Sequence, residues 1–247
     1  MTLAIPADLI ARLRRAQRVV VMTGAGISAE SGIPTFRDAQ AGLWAQFKPE
    51  ELASEAGFRA NPERVWQWYA WRRQQVLKTS PNPGHYALAQ LQQRLPHLTL
   101  ITQNVDGLHQ AAGSTEVIEL HGCIHRVRCL DQDCGEMDWP EETRTVPKHS
   151  CGSLMRPAVV WFGEYLPEQA LADAIDAVEH CDLMFSIGTS SLVYPAAELP
   201  LLAQRNGATV VEINPNPTPL SAKADFVLTG AAGQVLPALV NAFSEAP

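Results

Sequence analysis

The run Val19-Val20-Val21-Met22 leads directly into Thr23-Gly24-Ala25-Gly26. A short, unbroken apolar run that ends in glycines reads as a strand buried on both faces, entering a turn able to receive phosphate. The same signature recurs at 98–102, 183–187 and 209–213. Each run stops at polar residues: Gln103-Asn104, Gly188-Thr189-Ser190 and Asn214. Helical patterns at 85–95, 167–179 and 196–205 fall between them. Strand–helix alternation of this kind predicts an α/β fold with a doubly wound, Rossmann-like parallel sheet. Its ligand crevice is expected at the C-terminal ends of the strands.

Two stretches interrupt the alternation. Residues 39–82 are helical in pattern and rich in aromatics, without a strand signal. Residues 122–155 hold four of the five cysteines and no long apolar run. Both read as insertions that together build a smaller domain, helical and with a cysteine module. The large domain then comprises residues 1–38, 83–121 and 156–247, and the small one 39–82 and 122–155. A chain of 247 residues is long enough for this arrangement with ample core.

Composition narrows the function classes. With 46% apolar and 18% charged residues, the chain is a folded protein and not a disordered one. Acidic residues outnumber basic ones, 26 to 19, for a net charge of −7, which argues against a nucleic-acid-binding face. Arg12, Arg14, Arg15 and Arg18 interleave with Leu9, Ile10 and Leu13, as in an amphipathic surface helix and unlike a secretion signal. No segment is apolar enough to span a bilayer. A cytoplasmic setting without a membrane partner is expected, and disulfides are not. The oligomeric state is not legible.

The glycine turn alone is ambiguous. Gly24 and Gly26 let backbone approach a pyrophosphate, and the N-terminus of a following helix favours negative charge. Yet position 29, where the usual dinucleotide fingerprint has its third glycine, is Ala, and a tight strand–helix turn without a ligand reads the same way.

Over a longer span the chain resembles the sirtuins, the NAD-dependent protein-lysine deacylases. Residues 24–38, Gly-Ala-Gly-Ile-Ser-Ala-Glu-Ser-Gly-Ile-Pro-Thr-Phe-Arg-Asp, resemble the sirtuin cofactor loop. Thr102-Gln103-Asn104-Val105-Asp106-Gly107-Leu108-His109 resembles the second motif, and His121-Gly122 matches the position of the family's histidine base. Val159-Val160-Trp161-Phe162-Gly163-Glu164 resembles the strand that pairs with a substrate peptide. The resemblance runs in order from about Val19 to Ala232. It implies NAD as cofactor, held by Gly24, Ala25, Gly26, Glu30, Thr35, Phe36, Arg37, Gln103, Asn104, Asp106, Gly188, Thr189, Ser190, Asn214 and Ala232. It implies His121 and Asn104 as catalytic residues, and Val159, Val160, Phe162 and Gly163 as contacts to an acylated lysine in a protein. The implied products are nicotinamide, free lysine and O-acyl-ADP-ribose, with His121 as general base for a ribose hydroxyl. Histidine suits that role because its unperturbed pKa lies near neutrality. On its own, His121 would read as a satisfied histidine at a strand end. The other histidines carry no catalytic role: His109 is expected beside the Asn104 loop, and the rest on the surface or in turns.

Cys129 and Cys134, followed by Cys151, resemble the family's zinc module incompletely, since the family pattern has four cysteines. A structural zinc needs four ligands and accepts histidine. His149 is the candidate fourth, although one residue separates it from Cys151. A site of Cys129, Cys134, Cys151 and His149, a site closed by water, and a lost site all remain open. Cys123 and Cys181 are not candidates; Cys181 reads as an inert core thiol.

In the helix expected over 62–78, Asn61 is the N-cap and Pro62 the first helical residue. Val65, Tyr69, Arg72 and Val76 share one face. An arginine in that stripe is explained blandly as snorkelling over a tryptophan or pairing with a structural carboxylate. Tyr69-x-x-Arg72 also matches the sirtuin class that accepts succinyl and malonyl groups, which implies an acyl pocket at these two side chains. Protein-lysine deacylation is therefore expected, with succinyl, malonyl and acetyl groups removed. Mono-ADP-ribosyl transfer and non-catalytic binding of NAD or ADP-ribose are the alternatives.

Overall fold

The computed structural model describes residues 4–33, 48–140 and 145–245. Its strands are β1 (Arg18–Thr23), β2 (His97–Thr102), β3 (Val117–Glu119), β4 (Gly122–Cys129), β5 (Glu136–Asp138), β6 (Met155–Val159), β7 (Leu183–Ile187), β8 (Thr209–Asn214) and β9 (Phe226–Thr229). Six of them form one parallel sheet in the order β3-β2-β1-β7-β8-β9. The other three form a separate antiparallel sheet in the order β5-β4-β6. The four apolar runs of the sequence are β1, β2, β7 and β8, each within one residue of its expected bounds.

The helices are α1 (Ala7–Arg15), α2 (Ala25–Ser28), α3 (Pro49–Leu52), α4 (Glu55–Ala60), α5 (Pro62–Val76), α6 (Pro83–Arg94), α7 (Leu108–Ala111), α8 (Glu168–Glu179), α9 (Leu199–Arg205) and α10 (Ala232–Ser244). Side chains alternate across a strand. Val19 and Val21 of β1 accordingly join Leu9 and Leu13 of α1, Leu88 of α6 and Leu236 of α10 in one core. Val20 and Met22 join Val178 of α8 and Ala203 of α9 in a second core on the opposite face. Both faces are covered, which is why β1 reads as an unbroken apolar run. Among the described residues no helix is long and apolar enough to cross a membrane.

Helices α3 to α5 pack on the small sheet. Leu52, Phe58, Val65, Trp68 and Tyr69 share a third core with Ile124, Val159 and Trp161. The Asn61 carboxamide oxygen accepts the Arg64 N–H at 3.1 Å, and α5 starts as expected with Pro62 in its first turn. The helix ends at Val76 because Lys78 N–H already bonds back to Gln75 O in a tightened last turn. Sequence patterning missed the small sheet. Its β4 strand is only half covered, so Arg126 and Arg128 interrupt the apolar positions, and a half-solvated antiparallel strand leaves no long apolar run. Arg126 pairs with Glu119 and Glu136.

Candidate active site

Strands β1 and β7 are neighbours at the centre of the large sheet, where the strand order reverses. Ligands of doubly wound sheets lie at such a switch point, beyond the strand C-termini. Here the turn after β1 rests on the turn after β7. Gly26 N–H donates to Gly188 O at 2.7 Å, and Gly24 N–H donates to Ile187 O at 3.0 Å. A Cβ on Gly26 would lie 2.7 Å from Gly188 Cα, so the two backbones meet at a distance only glycine allows. Sequence reasoning left these glycines between a pyrophosphate and a tight turn without a ligand; their contact with Gly188 is a further reason for them. The helix after the turn is short. α2 has four residues and runs into a 3-10 turn, Ala29–Ser31, so it contributes little macrodipole.

The segment after β2 supplies the polar floor. Asn104 is buried, and its Nδ2 donates to Gly24 O and to Ser28 Oγ, both at 3.1 Å. The Ser28 hydroxyl donates to Asp106 Oδ2 at 2.7 Å, while Leu108 N–H donates to Asp106 Oδ1 at 2.9 Å. Gln103 Nε2 reaches Thr189 Oγ1 at 3.2 Å, and Asn214 Nδ2 reaches Thr189 O at 2.8 Å. Ser190 is exposed at the same rim. Glu30 accepts the Gly233 N–H at 2.6 Å, beside the buried Ala232 at the start of α10. Thr35, Phe36 and Arg37 lie outside the described residues.

Beneath this floor lie two histidines that sequence reasoning undervalued. His85, expected on the surface or in a turn, is fully buried. Its Nδ1 accepts the Asn82 N–H at 3.3 Å as half of a capping box that starts α6, so the proton is on Nε2, which faces Ser28 Oγ. The Asn82-Pro83-x-His85 spacing was the available signal. His109 stands beside the Asn104 segment as expected. Thr23 donates its hydroxyl proton to Thr102, so His109 Nε2–H donates to Thr23 Oγ1 at 2.9 Å. Burial lowers the pKa of His85 to about 4 and that of His109 to about 3. Both are neutral at pH 7. His125 is also no surface residue: from β4 it donates Nε2–H to Asp106 O at 2.9 Å.

His121 occupies the crossing between the two sheets, after β3 and before Gly122 of β4. Its carbonyl accepts Val160 N–H at 2.9 Å, and its Nδ1 lies 3.0 Å from Gln103 O. A carbonyl only accepts, so Nδ1 carries the proton and Nε2 has the lone pair. Burial lowers the His121 pKa, opposed by the Gln103 hydrogen bond. The result is a neutral imidazole with a basic nitrogen beside the Asn104 segment. Gly122 fixes the chain there: its φ is +75°, and a Cβ would meet Ala158 O at 2.1 Å.

The expected substrate strand is only partly a strand. β6 ends at Val159, and residues 160–164 are irregular. Their N–H groups go elsewhere, Val160 to His121 O, Trp161 to the Glu164 carboxylate, and Phe162 to Ala53 O. Phe162 and Gly163 are exposed. On α5, Tyr69 is buried, while the Arg72 guanidinium lies 4.8 Å from the Trp68 ring and 5.6 Å from the Tyr69 ring. Burial lowers the Arg72 pKa, against Tyr69 and Asp106, which favour the cation.

The cysteine module closes on the four expected residues. One donor atom each from Cys129, Cys134, His149 and Cys151 lies within 4.8 Å of every other. Cys151 Sγ is 3.6 Å from both Cys129 Sγ and Cys134 Sγ, and 3.2 Å from His149 Nδ1. A tetrahedral zinc with Zn–S bonds of about 2.3 Å sets S···S edges near 3.8 Å, so the donor set fits that ion. The close His149–Cys151 spacing works because Gly152 N–H turns back to His149 O at 2.9 Å. His149, foremost, lowers the Cys151 thiol to about 6, with the Ser153 backbone adding to it. Cys123 and Cys181 are buried elsewhere.

The profile of the Sir2 family matches residues 24–195. The chain belongs to the Sir2 family. Among its Sir2 relatives is a protein of Methylococcus capsulatus named NAD-dependent protein deacylase, 53% identical over 244 residues, covering 95% of this chain and 96% of the relative. A solved Sir2 homologue in complex with NAD has a TM-score of 0.92 to this chain at 44% identity, covering 98% of this chain and 95% of that one. A Sir2 bound to acetylated peptide has a TM-score of 0.83 at 32% identity, covering 95% and 96%. The Sir2 match spans the glycine turn, the Asn104 segment, His121 and the cysteine module; Asn214 and Ala232 lie beyond it.

Proposed function

We propose that this chain is an NAD-dependent protein-lysine deacylase that removes succinyl and malonyl groups as well as acetyl groups. The observation that carries the reading is the tautomer of His121, whose Nε2 lone pair stands beside the segment that carries Gln103, Asn104 and Asp106. The crevice at the switch point fits NAD in its donors. Backbone of Gly24, Ala25, Gly26 and Gly188, side chains of Gln103, Asn104, Asp106, Thr189, Ser190 and Asn214, and the Glu30–Ala232 rim would hold it. Thr35, Phe36 and Arg37 complete the proposed set. Bound there, NAD supplies the ribose that takes the acyl group and the nicotinamide that leaves.

Asn104 and Asp106 are themselves held by Ser28 and Gly24, so they orient a sugar without reorganising. His121 Nε2 takes a proton from a ribose hydroxyl, and Gln103 O steadies the imidazolium that results. The peptide lies beside Val159, Val160, Phe162 and Gly163, with its acyl group directed towards Tyr69 and Arg72. Arginine beside an apolar helix face suits a short acyl chain that ends in a carboxylate. With 39–82 and 122–155 taken as the small domain, the peptide lies in the cleft between the two sheets. Cys129, Cys134, Cys151 and His149 would hold a structural zinc. Three cysteines converging with a histidine as a metal site, and not as disulfides, suit the reducing cytoplasm.

The test is one peptide carrying acetyl-, succinyl- or malonyl-lysine, incubated with NAD and followed by mass spectrometry. Nicotinamide release that requires the acyl-lysine, with the acyl group recovered on ADP-ribose, is expected. ADP-ribose attached to the protein or peptide, without deacylation, would overturn the assignment in favour of transfer.

A further inference from the structure

Trp161 is buried, and both its backbone and its indole are anchored. Its backbone N–H donates to Glu164 Oε2 at 2.8 Å. Its Nε1–H donates to the Tyr69 hydroxyl at 3.0 Å. The ring is clamped between Phe58, with centroids 5.3 Å apart, and the Arg156 guanidinium, 3.3 Å from the centroid. Arg156 is in turn fixed by the Glu164 carboxylate and by Val159 O. The indole N–H therefore has one direction, and it points at Tyr69.

A phenol oxygen can accept a hydrogen bond and still donate its own proton. Indole N–H only donates. Trp161 therefore occupies an accepting position of Tyr69, and among the described residues nothing accepts the Tyr69 proton. That proton is left for a further partner at the oxygen, and the Arg72 guanidinium lies 5.6 Å from the centroid of the Tyr69 ring. A donor that is itself hydrogen-bonded is also polarised, which strengthens the bond it gives.

We propose that Trp161 is a positioning residue for acyl choice: its indole N–H holds the Tyr69 hydroxyl in the orientation that donates to the terminal carboxylate of a succinyl or malonyl chain. This rests on the acyl-pocket reading of Tyr69 and Arg72. Glu164 and Arg156 belong to the same device, because they fix the indole and do not reach Tyr69 by any hydrogen bond of their own. An acetyl group has no carboxylate to receive the Tyr69 proton, so the effect of Trp161 is confined to the acidic acyl groups.

The test is Trp161→Phe, which removes the N–H and keeps an aromatic ring against Phe58 and Arg156. The ratio of kcat/KM for a succinyl-lysine peptide to that for the matching acetyl-lysine peptide should fall about three- to ten-fold, carried by KM. Tyr69→Phe should lower the ratio at least as far, and the double variant should fall no further than Tyr69→Phe alone, because the indole then has nothing to orient. A purely structural role would lower both peptides alike and leave the ratio where it was; that result, or losses that add in the double variant, overturns the proposal. Thermal midpoints of all three variants separate unfolding from specificity. Arg72→Met tells the two layers apart. If it leaves the ratio unchanged, the acyl pocket itself is wrong. If it lowers the ratio while Trp161→Phe does not, the pocket stands and the positioning role falls.

Discussion

His121 Nδ1 lies 3.0 Å from the carbonyl oxygen of Gln103, and that single contact fixes which ring nitrogen is basic. His121→Ala should lower deacylation by about 10²–10⁴, the span expected for a lost general base, with NAD affinity nearly intact. Isothermal titration with NAD beside steady-state kinetics checks both halves. Retention of full activity would remove His121 from the chemistry.

The same residue sets the acid limb of the pH profile. Nε2 must be unprotonated to act, and burial lowers the His121 pKa below the ordinary 6.5. The acid limb of the kcat/KM profile of the free enzyme should therefore have its midpoint below 6.5. A midpoint above 6.5 in kcat/KM would mean that burial does not govern this imidazole.

Which parts of this site were legible depended on how much of the signal was local. Strands β1, β2, β7 and β8 announce themselves because both faces of the sheet are covered, so every position is apolar. The small sheet did not, because β4 alternates Arg126 and Arg128 with buried residues and pairs at long range with β6. His149 was reachable from ligand chemistry, and the turn closed by Gly152 explains a spacing that looked too tight. His85 was missed because its one local signal, the Asn82-Pro83-x-His85 spacing, marks the start of a helix and not burial, which comes from distant contacts such as a serine 57 positions away. The Trp161–Tyr69 bond spans 92 positions and was equally out of reach of the sequence.

The cysteine module should hold about one zinc per chain, as a closed structural site. Elemental analysis of protein purified without chelator checks the stoichiometry. Cys129→Ser and Cys151→Ser should each lose the metal and lower the thermal midpoint, since metal binding is coupled to folding. His149→Ala with undiminished metal would show that water or another group closes the site.

The buried pair His85 and His109 makes stability depend on pH with a definite sign. Their folded pKa values, about 4 and about 3, lie below the unfolded 6.5. Between these limits the unfolded chain binds more protons, so stability rises with pH and is lost as pH falls below about 6.5. By pH 5 each histidine should cost on the order of 1–2 kcal/mol. Urea midpoints at pH 7.5 and pH 5 measure the loss, and His109→Gln should reduce the difference. An unchanged difference in that variant would assign the acid sensitivity to carboxylates.

Acyl choice tests the α5 stripe, where the bland and the sharp accounts of Arg72 meet. The guanidinium does lie over Trp68, as a snorkelling arginine would, yet burial works against its charge while Asp106 and Tyr69 favour it. A cation so placed gains from a carboxylate brought by the substrate. Charge-assisted hydrogen bonds contribute about 1.5–3 kcal/mol each, and the planar fork takes a carboxylate through two of them. Arg72→Met should lower desuccinylation about ten-fold or more, on the order of 1.4 kcal/mol. The acetyl peptide carries no charge for Arg72 to meet, so its kcat/KM should hold or rise as the thioether fills the space. Tyr69→Phe should act in the same direction with a smaller effect, because it removes one neutral donor and leaves the cation. Paired kinetics on the two peptides decide the matter: equal losses on both would make Arg72 a packing residue over Trp68 and leave acyl choice to other side chains.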